Sequence, residues 1–307
     1  MARPNKIIIL FVKVFVSGGL LYAVISKTGI DKVLSTLKGI YIPSFILAVL
    51  IYICAIFIST IRWRLLLHER FGLGKLFSLY VIGSFFNHLL PGMIGGDAVK
   101  AYYLYRDTGK GSSAVASVFI DRYIGFTALI LVGLIAFPFG FRYFRGSYIE
   151  WVLPLIVLLF VTGSFFVFGL RIGRGIKLLS GFYDYFTLYK EKKTVIVKAL
   201  MLSFIIQTIV IFAVYVLSRG LKVDVPLLPL FIFIPVISTI ASLPISISGL
   251  GVREASFVLL FGFLGISPGE ATAVSFAWFL SVATGSLPGL IEYLRYKKGT
   301  PGNSLSR

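Results

Sequence analysis

Apolar residues occur along this chain in long stretches, and most charged residues stand between those stretches. A helix needs about 20 consecutive apolar residues to cross a bilayer, and six stretches come close to that length or exceed it. They lie near residues 7–25, 42–61, 113–138, 150–170, 195–218 and 269–292. The pattern therefore predicts an all-α integral membrane protein with six full spans.

Two further apolar segments, near 76–100 and 226–265, are broken by Gly, Pro, Ser and charged residues. Each break leaves arms that are short for a crossing. Irregular backbone at membrane depth is tolerated only inside protein or beside a water-filled cavity. We therefore predict two re-entrant helical hairpins, each of which enters and leaves the membrane on one side. The alternative for the first segment is a plain cytoplasmic loop between two unbroken helices.

The composition agrees with a membrane protein. Of 307 residues, 58% are hydrophobic and 14% are charged, and the mean hydropathy is +0.95, which leaves too little charge for the surface of a soluble domain. The first apolar stretch follows Arg3 and Lys6, as in a signal peptide, but no small-x-small cleavage site follows it, so we expect a retained span. Cys54 lies in an apolar run and is expected to pack in the core; a single cysteine excludes an intrachain disulfide.

The charge is strongly basic, with 30 Lys and Arg against 12 Asp and Glu and a net charge of +18. Twenty of the basic residues lie in the termini and loops on one predicted side of the membrane, against seven on the other side. Such a bias marks the cytoplasmic side, so we expect the cytoplasmic membrane, with both termini in the cytoplasm. Basic residues in short loops favour anionic lipid headgroups over nucleic acid as partners.

The order of the elements is the same in two halves of the chain, which divide near residue 145. Each half has two spans, a broken segment and a third span, and the halves begin in opposite directions. We therefore predict an inverted repeat within one domain spanning 1–307, with halves 1–145 and 146–296 and a short cytoplasmic tail at 297–307. Transporters with this plan bind substrate near mid-membrane, where the halves meet.

The tips of the two predicted hairpins have similar sequences, NHLLPGMIGGDAVK at 87–100 and SLPISISGLGVRE at 242–254. Each has Leu-Pro, a flexible stretch with at least two glycines, and a neighbouring acid and base. Backbone amides at a half-helix start, hydroxyl groups and a guanidinium can together hold a phosphate. The alternative is that the acid and base of the second tip are solvated at the outer interface. The candidate substrate-binding residues are Asn87, Pro91, Gly95, Gly96, Asp97 and Lys100 in the first tip and Ser246, Ser248, Gly249, Gly251, Arg253 and Glu254 in the second.

Asp121 and Arg122 are the third candidate feature. At 1.5 Å per residue, Asp121 lies roughly 12 Å along the third span, where an ionisable group is costly unless paired or wet and is functional by default. Neighbours in a helix point about 100° apart, so we expect the two residues to have different partners. The alternative is a structural ion pair that joins helices. The last span has no equivalent pair, which weakens a strict repeat.

Other motifs point away from soluble enzyme chemistry. His68 and His88 lack metal-ligand spacing, so no metal site is expected. The sequence has no phosphate-binding glycine loop followed by Lys and Ser or Thr, so we do not expect ATP-driven pumping by this chain alone. Arg62, Trp63 and Arg64 end the second span and are interpreted as interfacial anchors.

In combination, these motifs resemble the flippase-like family of lysylphosphatidylglycerol synthase membrane regions, related to the membrane part of the multiple peptide resistance factor. The similarity runs from about residue 6 to 296. The resemblance implies a protein that moves a phospholipid, or a sugar linked to polyprenyl phosphate, between leaflets. The tail after Tyr296 is about eleven residues, so we expect no aminoacyl-transferase domain here. The matching features are Arg62-Trp63-Arg64, the 87–100 stretch, Asp121-Arg122-x-x-Gly125 and Gly249-x-Gly251-x-Arg253-Glu254.

Three functions remain open from the sequence. The first hypothesis is a lipid flippase-like transporter whose two hairpins face each other across a polar cavity. In it, Arg122, Arg253 and Lys100 attract phosphate, while the acids pair with these bases, bind a cationic headgroup or carry protons. The second is a membrane-embedded lipid-headgroup transferase, with Asp97 or Asp121 as base. The third is a partner that docks a soluble transferase through the basic loop at 171–198; a homo-oligomer is a further alternative. We do not expect catalytic residues or cofactors.

Overall fold

The computed structural model describes residues 4–67, 69–89, 95–169 and 192–298. All regular structure in these ranges is helical. The helices are α1 (Pro4–Thr28), α2 (Ile30–Lys38), α3 (Ile42–Leu65), α4 (Leu73–Leu89), α5 (Gly95–Thr108), α6 (Gly111–Gly140), α7 (Val152–Ser164), α8 (Lys193–Gly220), α9 (Leu227–Ser242), α10 (Val252–Gly262), α11 (Pro268–Ser286) and α12 (Pro288–Lys298). Short 3₁₀ turns occupy Phe141–Tyr143 and Tyr148–Trp151, and α7 continues as a π-turn over Phe165–Gly169.

Six helical segments are long and apolar enough to cross a membrane. This confirms the prediction of an all-α membrane protein with six spans. The segments are Phe11–Thr28, Ile42–Leu65, Gly111–Tyr143, Val152–Gly169, Lys193–Gly220 and Pro268–Tyr296. Large apolar side chains such as Phe15, Ile135 and Leu158 are exposed on the outside of these segments, as expected for a surface that faces lipid.

Each broken segment forms two short helices. The first consists of α4 and α5, with 17 and 14 residues, and the second of α9 and α10, with 16 and 11 residues. At 1.5 Å per residue, none of the four reaches the roughly 30 Å thickness of the hydrocarbon core. Re-entry into the membrane and an inverted relation between the halves stay predictions.

The packing is centred on α3 and α8, which lie side by side, with α6 and α11 in contact with both. The largest apolar cluster joins α6, α8, α9, α10 and α11 and includes Phe233, Phe257 and Phe261. A second cluster around Trp63 joins α3, α4, α5 and α6. Cys54 differs from the prediction: its side chain is exposed on the outside of α3, because the apolar run around it also has a face that the described residues leave exposed.

Helices α6 and α9 approach each other closely at one end. A Cβ on Gly133 would lie 3.3 Å from Cβ of Pro235, and one on Gly140 would overlap Ile232. The residue number rises along α6 from the first pair to the second but falls along α9, so the two helices are antiparallel. Arg122, eleven residues before Gly133 on α6, and the C-terminal end of α9 therefore lie on the same side of this contact. The cavity described below is lined by residues of both helices on that side.

Candidate functional site

A cavity of about 300 Å³ lies between the two halves of the chain. Helices α3 to α6 line one side of it and α8 to α11 line the other. Asn87, near the end of α4, and Ser248, in the bend between α9 and α10, both line the cavity. The Ser248 hydroxyl donates a hydrogen bond to the Asn87 carbonyl oxygen at 3.3 Å. The structure therefore brings the bend between α9 and α10 into direct contact with the last turns of α4, although 161 residues separate Ser248 from Asn87.

The charged groups that line the cavity are all basic. Lys100 on α5, Arg122 on α6 and Arg253 on α10 contribute to its wall. Among the described residues, no aspartate or glutamate does so. Such an arrangement attracts an anion, and the guanidinium groups in particular match the geometry of a phosphate.

Asp121 lies behind this wall, fully buried, and links several helices. Its Oδ1 accepts a hydrogen bond from Arg62 Nε at 2.8 Å, and its Oδ2 accepts one from the Tyr80 hydroxyl at 3.1 Å. Lys100 Nζ lies 3.9 Å from the same Oδ2. Arg62 also donates from Nη1 to Ser203 Oγ at 2.9 Å. The Asp121 carboxylate therefore joins α3, α4, α5 and α6, and Arg62 extends the network to α8.

Asp97, in the first turn of α5, pairs with two of the cations in the cavity wall. Its Oδ1 lies 3.2 Å from Lys100 Nζ, and its Oδ2 accepts a hydrogen bond from Arg122 Nε at 2.6 Å. The expectation that Asp121 and Arg122 have different partners is confirmed. Arg122 keeps half of its side chain exposed, whereas Lys100 is buried and also lies 4.1 Å from the centre of the Tyr80 ring.

Arg253 and Glu254 form a second charged pair at the start of α10. Arg253 Nη2 donates to Glu254 Oε1 at 2.7 Å, and the guanidinium lies 4.8 Å from the ring centre of Phe279. Glu254 Oε1 also accepts from Ser275 Oγ at 3.0 Å, and its Oε2 accepts from the Gly251 amide at 2.7 Å. Glu254 is fully buried. The pair is therefore not solvated at an interface, and the protein holds the arginine against the cavity.

The backbone amides of the second bend are largely occupied by partners within the protein. Ile247 N–H donates to Ser17 Oγ, Leu250 N–H to the Ile247 carbonyl, and Arg253 N–H to the Gly249 carbonyl. The Gly251 amide is held by Glu254, as described above. The Arg253 side chain, rather than these amides, is therefore the group at this bend that could meet an anion in the cavity.

Gly96 allows the two helices of the first broken segment to cross at short range. A Cβ at this position would overlap the carbonyl oxygen of Gly83 on α4. The Gly96 amide also donates to Asn87 Oδ1 at 2.9 Å, which satisfies a free donor at the start of α5. These contacts fix α5, and with it Asp97 and Lys100, against α4.

Gly96→Ala is expected to lower the free energy of unfolding by about 1–3 kcal/mol, because the added methyl forces α4 and α5 apart. Gly74→Ala is the matched control, since a Cβ at Gly74 meets nothing within 4 Å. It should leave stability unchanged or raise it slightly. Unfolding of the detergent-solubilised variants by a denaturing detergent, followed by fluorescence, measures both. Equal stability of the two variants would contradict the tight crossing.

Comparison with known proteins shows which family the chain belongs to. The family model described as lysylphosphatidylglycerol synthase TM region matches residues 10–289. The chain belongs to this family. A UPF0104 membrane protein of Methanothermobacter thermautotrophicus is 23% identical over 288 residues, which cover 82% of this chain and 84% of the relative. One of Methanocaldococcus jannaschii is 25% identical over 291 residues, with the same coverage. The resemblance deduced from the motifs is thereby confirmed.

In this member of the lysylphosphatidylglycerol synthase TM family, some of the residues predicted to form the substrate site line the cavity, and others lie behind the lining residues. The acids Asp97, Asp121 and Glu254 hold the cations from behind. The lining residues are Asn87, Lys100, Arg122, Ser248 and Arg253.

The remaining predicted residues serve the backbone or lie elsewhere. Gly249 and Gly251 have φ angles of 78° and 79°, which favour glycine. Ser246 is buried outside the cavity lining, and Gly95 begins α5. Pro91 lies outside the described residues, as does His68.

The interpretation of Arg62 and Trp63 as interfacial anchors is wrong, because both are buried inside the bundle and only Arg64 is exposed. Arg62 pairs with Asp121, and Trp63 Nε1 points to Ser117 Oγ at 3.4 Å. Sequence reasoning also missed several lining residues, because serines and aromatic residues are common in any membrane helix. These are Tyr52, Ser59, Tyr80, Ser84, Ser238, Trp278 and Phe279.

Proposed function

We propose that this protein binds the phosphate-bearing headgroup of a lipid in the cavity and moves it between the leaflets of the cytoplasmic membrane. The observation that carries the proposal is the cavity wall itself, in which Lys100, Arg122 and Arg253 come from both broken segments and the helix beside them. Charges at membrane depth are expensive and are kept where they serve a substrate or a structural pair. The loop charges support an orientation with both termini in the cytoplasm.

Arg122 is the cation best suited to receive a phosphate. Its hydrogen bond to Asp97 uses Nε, and no other described residue accepts a hydrogen bond from this guanidinium, so its remaining N–H groups can meet an incoming oxygen. Its side chain is 50% exposed, which is unusual beside the buried groups around it. A headgroup could therefore reach Arg122 without first disrupting the packed core.

The acyl chains would stay in the bilayer while the headgroup crosses, which requires a lateral opening. The place best suited to it lies beside Arg122, beyond the Gly133–Pro235 contact and towards the C-terminal end of α9. Leu243 and Ile245, which follow α9, are exposed apolar residues at this level of the bundle. Two re-entrant segments that meet at mid-membrane would place both bends beside the same headgroup.

The two alternatives have less support. A transferase would need a carboxylate that can act as a base, but Asp97 and Asp121 lie outside the cavity lining and are each paired with two cations. The loop that would dock a soluble transferase lies mostly outside the described residues. A transferase partner and a homo-oligomer stay predictions, which co-purification and native mass would test.

Arg122→Gln is expected to slow transport about tenfold, because a charge-assisted hydrogen bond contributes about 1.5–3 kcal/mol and 1.4 kcal/mol corresponds to a factor of ten. The assay follows a fluorescent phospholipid in proteoliposomes by chemical quenching of the outer leaflet. Arg64→Gln is the matched control, since Arg64 is an exposed arginine outside the cavity. Arg253→Lys keeps the charge beside Glu254 but loses the planar fork, and it should also slow transport.

Two outcomes would count against the proposal. Proteoliposomes with wild-type protein would exchange lipid no faster than protein-free vesicles, or Arg122→Gln would match Arg64→Gln while both remain folded. Monodisperse elution and an unchanged thermal midpoint establish that each variant is folded.

A further inference from the structure

We propose that the cavity selects a net-anionic lipid whose phosphate carries an uncharged, hydroxyl-bearing group, and that it discriminates against headgroups containing an ammonium. This inference rests on the proposed function and narrows its substrate class. It follows from the placement of charge in the cavity wall, from the other side chains of the lining and from the size of the cavity.

The charged groups around the cavity differ in how easily a ligand can reach them. Lys100, Arg122 and Arg253 line the cavity, whereas the acids that balance them lie behind the wall. Asp121 and Glu254 are fully buried. The exposed fraction of the side chain is 50% for Arg122, 13% for Asp97, 12% for Arg253 and 2% for Lys100, so Arg122 is the charged group that a ligand meets first. A phosphate would meet cations. An ammonium would meet the same cations, with no carboxylate among the described lining residues to pair with.

The surrounding bundle strengthens this selection. Interactions between charges grow as the local dielectric falls, and clefts of one sign with apolar walls focus the field on the ligand. Ile206, Ile234 and Ile237 form part of the same lining. A cationic headgroup would therefore experience repulsion that bulk water cannot fully screen.

The remaining polar lining matches a polyol. Tyr52 and Ser84 hydrogen-bond each other, Tyr80 donates to Asp121, and Ser248 donates to the Asn87 carbonyl. A hydroxyl oxygen has two acceptor lone pairs, so such groups can also accept from the hydroxyls of glycerol or a sugar without requiring a charge. Trp278 and Tyr52 add aromatic surface, with their rings edge to face at 6.4 Å. The hydroxyl-bearing side chains of the lining are Tyr52, Ser59, Tyr80, Ser84, Ser238 and Ser248.

The volume is sufficient for such a group. A cavity of about 300 Å³ lies in the range of small-molecule sites and has room for a phosphate with one glycerol or one hexose. Phosphatidylglycerol and a polyprenyl-phosphate hexose share the chemistry that the cavity would recognise.

The test compares four lipids on the full chain, by native mass spectrometry of the purified protein and by transport in phosphatidylcholine vesicles. They are phosphatidylglycerol, phosphatidylethanolamine, aminoacylated phosphatidylglycerol with a net positive headgroup, and a polyprenyl-phosphate hexose. We expect at least about tenfold preference for one of the two anionic lipids over the cationic one, because like-charge juxtaposition is strongly unfavourable in a desolvated site. The preferred anionic lipid shows whether glycerol or sugar is the natural group.

A charge added to the lining should change the preference. Ser238→Asp places a carboxylate on the part of α9 that lines the cavity and should reduce the preference for the anionic lipid about tenfold. Ser242→Asp is the matched control, one turn further along the same helix, exposed and outside the lining. It should leave the preference unchanged.

The outcomes separate this inference from the proposed function. Equal binding of anionic and cationic lipids by the wild type, or preference for the cationic lipid, overturns the inference even if lipids are transported. Selective binding of an anionic lipid without movement of any lipid supports the inference and contradicts the transporter. Equal effects of Ser238→Asp and Ser242→Asp also overturn it.

Discussion

Asp121→Asn is expected to lower the free energy of unfolding by about 3–5 kcal/mol, the usual result of removing one partner of a buried ion pair. Asparagine preserves the shape of the side chain but removes its charge. Arg62 and Lys100, with side chains 5% and 2% exposed, then lose the carboxylate between them. Arg62 can still donate to the amide oxygen of the asparagine and to the Ser203 hydroxyl, but neither of these neutral groups balances a buried guanidinium.

A double-mutant cycle with Arg62→Gln isolates the interaction. If the loss comes from an unbalanced charge, the double variant should be clearly more stable than the sum of the two single effects predicts. Arg64→Gln is the control, because it removes an exposed arginine two residues further along the same helix. Stability is measured by detergent-induced unfolding. Additive effects, or a single loss below about 1 kcal/mol, would show that Asp121 and Arg62 are not a buried pair.

The six spans could be predicted from the sequence because the bilayer sets both the length and the polarity of a crossing helix. The breaks between α4 and α5 and between α9 and α10 could be predicted for a related reason. Glycine, proline and charge interrupt those apolar segments at positions where a continuous helix would otherwise be expected. Both properties belong to short stretches of sequence and need no knowledge of the tertiary structure.

The role of Arg62 could not be predicted, because it depends on a partner 59 residues away. An arginine at the end of a span is usually an anchor at the interface, and nothing near it in the sequence indicates burial. Gly125 is one residue of the motif that relates to the burial of Arg62. A Cβ there would lie 2.9 Å from Arg62 Nη1, so the glycine of the Asp121-Arg122-x-x-Gly125 motif makes room for the guanidinium.

The candidate cavity could also be predicted only in part. The two broken segments could be selected from their glycines and paired charges, but which charged residues line the cavity and which lie behind the lining could not be predicted. Asp97 and Glu254 look equivalent to Lys100 and Arg253 along the chain, yet only the cations line the cavity. The difference is set by helix packing, which a local pattern does not contain.

Asp97→Asn is expected to slow lipid transport about a hundredfold while the protein retains its lipid more tightly. Asp97 pairs with both Arg122 and Lys100, at 2.6 and 3.2 Å. Under the proposed function, a phosphate would compete with this carboxylate, and the same carboxylate would help to displace the phosphate afterwards. Each charge-assisted contact contributes about 1.5–3 kcal/mol, so removing the competitor from two cations deepens the bound state by roughly two powers of ten.

Transport then becomes limited by release, because differences in affinity appear mainly in the dissociation rate. Lipid retained through purification is measured by mass spectrometry, and transport in proteoliposomes. Asp224→Asn is the matched control, since Asp224 is an exposed acid that pairs only with the half-exposed Arg219 among the described residues. Lys100 keeps Asp121 at 3.9 Å in the Asp97 variant, so the protein should still fold. Slower transport with less retained lipid would mean that Asp97 binds the substrate itself, and unchanged transport would mean that Arg122 does not exchange Asp97 for phosphate.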